Sequence, residues 1–269
     1  MTAFIEHLRF DFLAGLRNST TVLMFYLFPL GFYALMSIVM VEINPAFADN
    51  AITALVVVTL VAGTLLGLPG QFVETRQLGV YRMFKVNGVP AGAILASPLL
   101  SGIGHALIAA SIVAVTGGPI FGLPSPSHWG SFYLVMVLSA VCLGSLAALI
   151  GVVSDTSRST VLWSQLVFLP SMLIGGLMVD LELLPESVLP FAKLLPPTYA
   201  GQALLGAGFD LPTLISPTGA IAVLVASSIL DAVLATMLFR WDPANRTGRM
   251  SKAWALTALV PFVVGAIFL

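Results

Sequence analysis

The chain has 269 residues, of which 58% are hydrophobic and 9% charged, with a formal net charge of −1. Soluble domains carry about 25% charged residues, so too few charges remain to coat a water-exposed surface, and lipid is the solvent this composition fits. The near-neutral balance excludes a basic nucleic-acid-binding face, and a lone Cys142 excludes an intrachain disulfide or a thiolate metal cluster.

Residues 1–17 read as an amphipathic helix. Phe4, Ile5, Leu8, Phe12 and Leu16 fall on one face, Glu6, Arg9 and Arg17 on another, the pattern of a helix lying in the headgroup plane. The frayed start of the first span is the competing reading. A cleaved signal is not expected, because the first apolar stretch is longer than a signal's ~7–15 residues and follows Glu6 and Asp11.

A membrane helix needs ~20 mostly apolar residues, so charges mark the breaks. Arg17 and Glu42 are separated by 24 uncharged residues, and Asp49 and Glu74 by another 24. The 69 residues between Lys85 and Asp155 hold two spans, with the turn expected from Gly117-Gly118-Pro119 to Pro126. A fifth span fits the 21 residues between Arg158 and Asp180, and a sixth runs from Leu211 to Phe239, interrupted by Asp231. Runs such as Ala51–Ala62 are continuously apolar and lack the alternation of membrane strands, so the spans are helices. The expected architecture is an all-α membrane protein, a six-helix bundle over residues 1–252. Residues 253–269, opened by Trp254, add a hydrophobic segment that is either a short seventh span or an interfacial helix.

With the N-terminus inside, six spans place every Lys and Arg except Lys193 on the cytoplasmic side, ten of the 11, as the positive-inside rule requires. Glu42, Asp49, Asp180, Glu182, Glu186 and Asp210 collect on the other side. A multi-pass protein of the plasma (inner) membrane follows.

Three segments lie outside the spans. In the first, Val73, Val80 and Phe84 share a helical face with Met83 beside them, while Glu74, Arg82 and Lys85 lie opposite; Asn87-Gly88 stops the helix and Pro90 starts the next element. Such a helix rests on the membrane or docks into a partner's groove; an ordinary loop whose charges set topology is the plainer reading. The second, Ser154 to Thr160, with Asp155 and Arg158, has room only for a secondary contact. In the third, prolines 185, 190, 196 and 197 break Leu181 to Asp210 into pieces too short to span. They read as a pair of short helices dipping into the outer leaflet, where protein must cover the broken backbone.

This layout resembles the membrane subunits of ABC-2-type ABC exporters, over residues 1 to about 245. Phe28-Pro29-Leu30 lies in a span that follows an amphipathic helix. The Glu74…Gly79…Arg82…Phe84-Lys85…Pro90 loop is similar to the family's coupling helix, departing from it at Gln77, where a second acid is common. Phe168-Leu169-Pro170, Gly175-Gly176, Leu184-Pro185 and Leu195-Pro196-Pro197-Thr198-Tyr199-Ala200 are similar to the proline-glycine run leading into an outer re-entrant hairpin. The resemblance implies a permease that pairs with a second copy or a related permease, lies among membrane lipids and couples to a separate cytoplasmic ABC ATPase. It places the ATPase contact on Glu74, Arg76, Gly79, Arg82, Phe84 and Lys85, a secondary contact on Asp155 and Arg158, and the outer hairpin around Pro185, Pro196, Pro197 and Tyr199.

Lys85, Lys193 and Lys252 follow Phe, Ala and Ser, so the chain lacks a Gly-Lys-Ser/Thr phosphate loop. ATP and Mg are therefore expected on the partner, with no cofactor and no enzyme activity here. His7, His105 and His128 lack companions at metal-ligand spacing. His105 and Asp231 fall inside spans, where ionisable groups are costly and often functional; a hydrogen-bonded neutral imidazole and a buried structural acid are the plainer readings. Gln165 is a candidate pathway residue in the fifth span. Two other classes stay open: an ion-coupled secondary transporter using His105 and Asp231, which predicts inverted repeats, and an intramembrane enzyme, which needs a nucleophile with a base or paired acids. The apolar outer hairpin favours an amphipathic substrate, a drug or a lipid.

Overall fold

The computed structural model describes residues 2–44, 47–241 and 251–269; Arg246 and Arg249, two of the basic residues assigned above to one side, lie outside them. Among the described residues every regular element is a helix. In chain order they are α1 (Thr2–Arg17), α2 (Ser19–Ile43), α3 (Phe47–Gln77), α4 (Val80–Val86), α5 (Ala91–Phe121), α6 (Trp129–Val153), α7 (Ser157–Ile174), α8 (Leu189–Ala192), α9 (Pro196–Phe209), α10 (Pro217–Leu238) and α11 (Lys252–Phe268). Five of them, α2, α3, α5, α6 and α10, are long and apolar enough to cross a membrane. The remaining expected span, the fifth, is α7, whose 18 residues open on the polar turn Ser157-Arg158-Ser159-Thr160.

Charge divides the bundle into two ends. Arg76, Arg82, Lys85, Arg158, Arg240 and Lys252 lie at the basic pole, and Glu42, Asp49, Asp180, Glu182, Glu186 and Asp210 at the acidic pole. Between them α3 is the central helix. It is apolar all round and buried from Ala51 to Leu65, as such a helix must be, and α2, α5, α6 and α9 pack against it. Both α2 and α3 contain a π turn, at Leu23–Leu27 and Gly63–Gly67. The fully buried Phe25 ring fits between them: a Cβ on Gly63 would stand 2.9 Å from Phe25 Cδ1, and one on Gly67 would overlap the ring.

The α5–α6 pair packs closely through small residues. A Cβ on Gly144 would lie 2.8 Å from Ile103 Cγ1, and Ser145 and Ala148 are buried beside it. The breakers expected to end α5 do not do so: Gly117, Gly118 and Pro119 are helical, and the chain turns at Gly122 (φ +68), whose N–H donates to Gly118 O at 2.9 Å. Pro119 forfeits one ladder bond and crowds the carbonyl four residues back, but the helix continues past it to Phe121. The sixth span starts at Pro217 rather than Leu211, because the Ser216 side chain caps it by accepting from Gly219 N, with Pro217 in the first turn.

α11 runs from pole to pole. Lys252 Nζ pairs with Asp155 Oδ2 at 2.5 Å at the basic pole. In the final turns, a Cβ on Gly265 would lie 2.5 Å from Tyr199 Oη, and that hydroxyl lies 3.3 Å from Phe262 O. At the acidic pole, a Cβ on Gly219 would lie 2.7 Å from Leu269 Cδ2. The first half, Lys252–Leu259, is 3₁₀ and the rest α-helical. At ~2.0 Å rise per 3₁₀ residue and ~1.5 Å per α residue, this short segment covers ~30 Å, the hydrocarbon thickness of a bilayer.

Candidate functional site

The basic pole gathers the residues singled out in the first loop. α3 ends at Gln77, and Gly79, at φ +74, turns the chain into α4. That left-handed conformation costs glycine nothing and other residues about 1 kcal/mol or more. It also breaks the single helical wheel expected from Val73 to Phe84, and the faces change accordingly. Tyr81 is buried with its ring edge on Phe239, centroids 5.1 Å apart. Phe84, the expected anchor for a partner's groove, is half-buried instead, its ring edge on His7 of α1 at 5.4 Å. The apolar side chains left outside are Leu78 (72% exposed), Met83 (70%) and Val86 (83%). Glu74, Arg82 and Lys85 are exposed around them, and Lys85 Nζ lies 6.0 Å from the Trp241 ring centroid.

Arg76 corrects a further expectation. Only 3% of it is exposed; Nη1 donates to Val152 O at 3.0 Å and Nη2 to Ser154 O. A helix leaves its last carbonyls without intrahelical partners and its C-terminus partly negative. The guanidinium satisfies those of α6, so Arg76 faces inward and offers nothing to a second protein. Gln77 Nε2 donates to Asp155 O at 3.3 Å, joining the same two loops. The Asp155 carboxyl is held below the usual carboxylate range, chiefly by its hydrogen bond from Lys252. Arg158 stands exposed on the first turn of α7, which Thr156 and Ser159 close as a reciprocal capping box.

A family model described as ABC-2 type transporter matches residues 2–209. The chain belongs to the ABC-2 type transporter family. No curated protein and no solved structure matches it.

It is therefore a multi-pass membrane protein and the permease subunit of an ABC transporter. In this ABC-2 permease the loop resembling a coupling helix is wired into the bundle at three points: Phe84 to α1, Tyr81 to the end of α10, and Arg76 to the end of α6. The proline-rich stretch becomes a 3₁₀ turn at Leu181–Leu183, the single turn α8, and the 14-residue α9. Pro185 lies in an exposed turn, whereas Pro196, Pro197 and Tyr199 are buried. α9 packs against α3, α6 and α10.

The intramembrane polar residues go to different places. His105, 1% exposed, packs against α1 and α2: Phe12 stacks on its ring at 4.2 Å and Tyr26 Oη lies 2.7 Å from Nδ1. Asp231, fully buried, accepts from Ser227 one turn earlier in α10. Gln165 is half-buried on α7. Among the described residues, no cluster of His, Cys, Asp and Glu could hold a metal ion.

Sequence reading missed two cavities at opposite ends of α3. One, of about 310 Å³ at the basic pole, opens between α1, α3 and α5 and includes Asp11, Gln71, Glu74 and His105 in its wall. The other, of about 240 Å³ at the acidic pole, includes Asn50, Thr53, Asp180 and Glu182. Asp11, an acid beside Phe12 in an apolar run, was the one available signal for the first.

Proposed function

We propose that this permease serves an ATP-driven exporter, with its basic pole and N-terminus on the cytoplasmic side of the plasma (inner) membrane. Two copies, or one copy with a related permease, form the pathway between them. A separate ABC ATPase carries ATP and Mg and docks on the first loop. The observation that carries this reading is the surface of that loop: Leu78, Met83 and Val86 are exposed within a charged rim, although the loop is anchored from behind by Tyr81, Phe84 and Arg76. A small apolar centre with a polar rim is the anatomy of a partner contact. Anchoring it to α1, α6 and α10 suits it to carry partner motion into the bundle. α11 is a seventh span, which brings Leu269 to the outer face. The substrate is an amphipathic small molecule.

In the secondary-transporter reading, His105 and Asp231 carry protons. Their separate surroundings, one against α1 and α2 and the other within α10, give that reading no relay.

The test is ATPase retention on the detergent-solubilised permease. Met83→Asp with Val86→Asp puts two charges into a desolvated contact, at several kcal/mol, and is expected to release the ATPase while the bundle stays folded. An ATPase that remains bound to this variant would overturn the docking site. ATP-independent transport by the isolated permease would overturn the exporter. Topology is checked separately. A cysteine replacing Glu186 or Phe268 should react with an impermeant reagent in intact cells, and one replacing Asn87 should not.

A further inference from the structure

The cavity at the basic pole has the chemistry of a receptor for a cation. Asp11 projects into it from α1 and Glu74 from α3; Asn18, Gln71 and Ser101 add polar groups, and no Lys or Arg contributes to the wall. Asp11 is half-buried and already accepts from Ser97 Oγ at 2.5 Å. Acidic residues alone would be an ordinary solvated rim. A second observation, deeper in, points to a ligand.

That observation is His105. It lies two turns further along α5 than Pro98, on the stripe Pro98, Ser101, Gly102, His105 that faces the cavity. It is 1% exposed, and its Nε2 is a buried polar atom with no hydrogen-bond partner. Leaving such a group unpaired carries a desolvation cost that a ligand's hydrogen bond would remove. Gly15 packs against it without a side chain, since a Cβ there would stand 2.5 Å from Nε2. Its other nitrogen is occupied by Tyr26 Oη at 2.7 Å, and the rings of Phe12 and Phe25 flank it at centroid distances of 4.2 and 5.8 Å. The cavity therefore runs from two carboxylates at its mouth to an aromatic end behind which one buried nitrogen is unpaired.

We infer that this cavity binds an amphipathic organic cation carrying N–H donors, a protonated amine. Its ammonium is received at Asp11 and Glu74, and its less polar part reaches the His105 end, where Phe12 and Phe25 offer ring faces and edges. Tyr26 Oη occupies Nδ1, so Nε2 is the ring nitrogen left to pair with the ligand. The ligand touches α1 and α3 together, so its binding bears directly on the helix that carries Arg76. The acidic-pole cavity against the same helix also lacks Lys and Arg and carries Asp180, Glu182 and the unpartnered Thr53 Oγ1, which suits release of the same charge type. Naming this cation as the transported substrate rests on the exporter reading; binding itself does not.

The experiment uses the full chain in phosphatidylcholine nanodiscs and the fluorescent amine dansylcadaverine, with signal from empty nanodiscs subtracted. Its N-acetyl derivative has the same fluorophore and no charge. Dansylcadaverine is expected to bind, and acetylation to weaken binding at least tenfold. Asp11→Asn with Glu74→Gln should do the same. Ala14→Phe, which fills the cavity without touching either acid, should abolish binding while thermal stability and monodispersity stay near wild type. Equal binding of the acetylated probe would overturn the inference, as would full affinity in both variants. The exporter reading fails independently: saturable, acid-dependent binding by a permease that retains no ATPase leaves the site standing and removes only its assignment as the substrate site.

Discussion

Two short helices lie outside the long spans, one at each pole, and they received similar treatment in the sequence: an apolar stretch bounded by Gly or Pro. They end up in opposite environments. α4 at the basic pole is seven residues long, shows solvent its Arg82, Met83, Lys85 and Val86, and buries only Tyr81. α9 at the acidic pole is 14 residues long and is buried along most of its length, from Pro196 to Ala200, from Gln202 to Leu204, and again at Gly208 and Phe209. The difference is one of neighbours. α9 is enclosed by α3, α6 and α10, so it belongs to the core. α4 is tied through Tyr81, Phe84 and Lys85 and leaves Met83 and Val86 exposed, as a docking element requires.

The comparison breaks if the two helices respond alike to mutation. The largest expected effect is at α9. Tyr199→Ala removes a ring with no exposed surface and a hydroxyl within reach of Lys193 O (2.8 Å) and Phe262 O. It should cost about 3–5 kcal/mol, the range for large aromatic truncations, read as a fall in the unfolding midpoint of the purified permease. Arg76→Met should come next. It leaves Val152 O and Ser154 O without their donor, at about 1–3 kcal/mol for each carbonyl that water does not reach, and it should uncouple ATP hydrolysis from substrate before it unfolds the bundle. Phe84→Asp should cost stability through the His7 contact, whereas Met83→Asp should change it by no more than about 0.5 kcal/mol, the range for exposed sites. A larger stability loss at Met83 than at Phe84 would reverse the assignment of inner and outer faces.

The smallest effect is at the Asp155–Lys252 pair. Lys252 holds the folded-state carboxyl below the usual range, so its contribution is present above the ordinary aspartate range, near 3.9, and is lost as pH falls through that range towards the folded value. Both side chains are substantially exposed, so the change is small and screened by salt. Asp155→Asn should flatten this part of the midpoint–pH curve and leave the neutral and alkaline parts parallel to wild type.

The long spans were legible because charge is costly in lipid, so each gap between charged residues marks a helix. Their ends were less so. Ser216-Pro217 carries a cap and a first-turn proline, a signal that outweighs the apolar residues before it. Pro119 misled because a proline strains the turn before it without forcing the helix to stop, and α5, which also contains Pro98, runs on through Ile120 and Phe121. In the first loop the amphipathic character was legible, but not which face turns out. One positive-φ glycine resets the phase between Arg76 and Tyr81, and a wheel drawn across it exchanges Phe84 for Met83. The inward role of Arg76 depends on where another helix ends, 76 residues away in the chain at Val152, and no local pattern encodes that. Nor does composition reveal that half of α11 is wound as 3₁₀.

The π turn of α3 sets a phase. A π turn holds one more residue than an α turn. Rewinding Gly63–Gly67 as ordinary α-helix, with no residue lost, would turn the downstream half by ~100° and push it forward by ~1.5 Å. Glu74 would leave the cavity wall, Arg76 would swing away from the last carbonyls of α6, and Gly79 would launch α4 in a new direction. The register of the whole basic pole is thus written about two turns or more upstream, in a notch that the Phe25 ring keeps open.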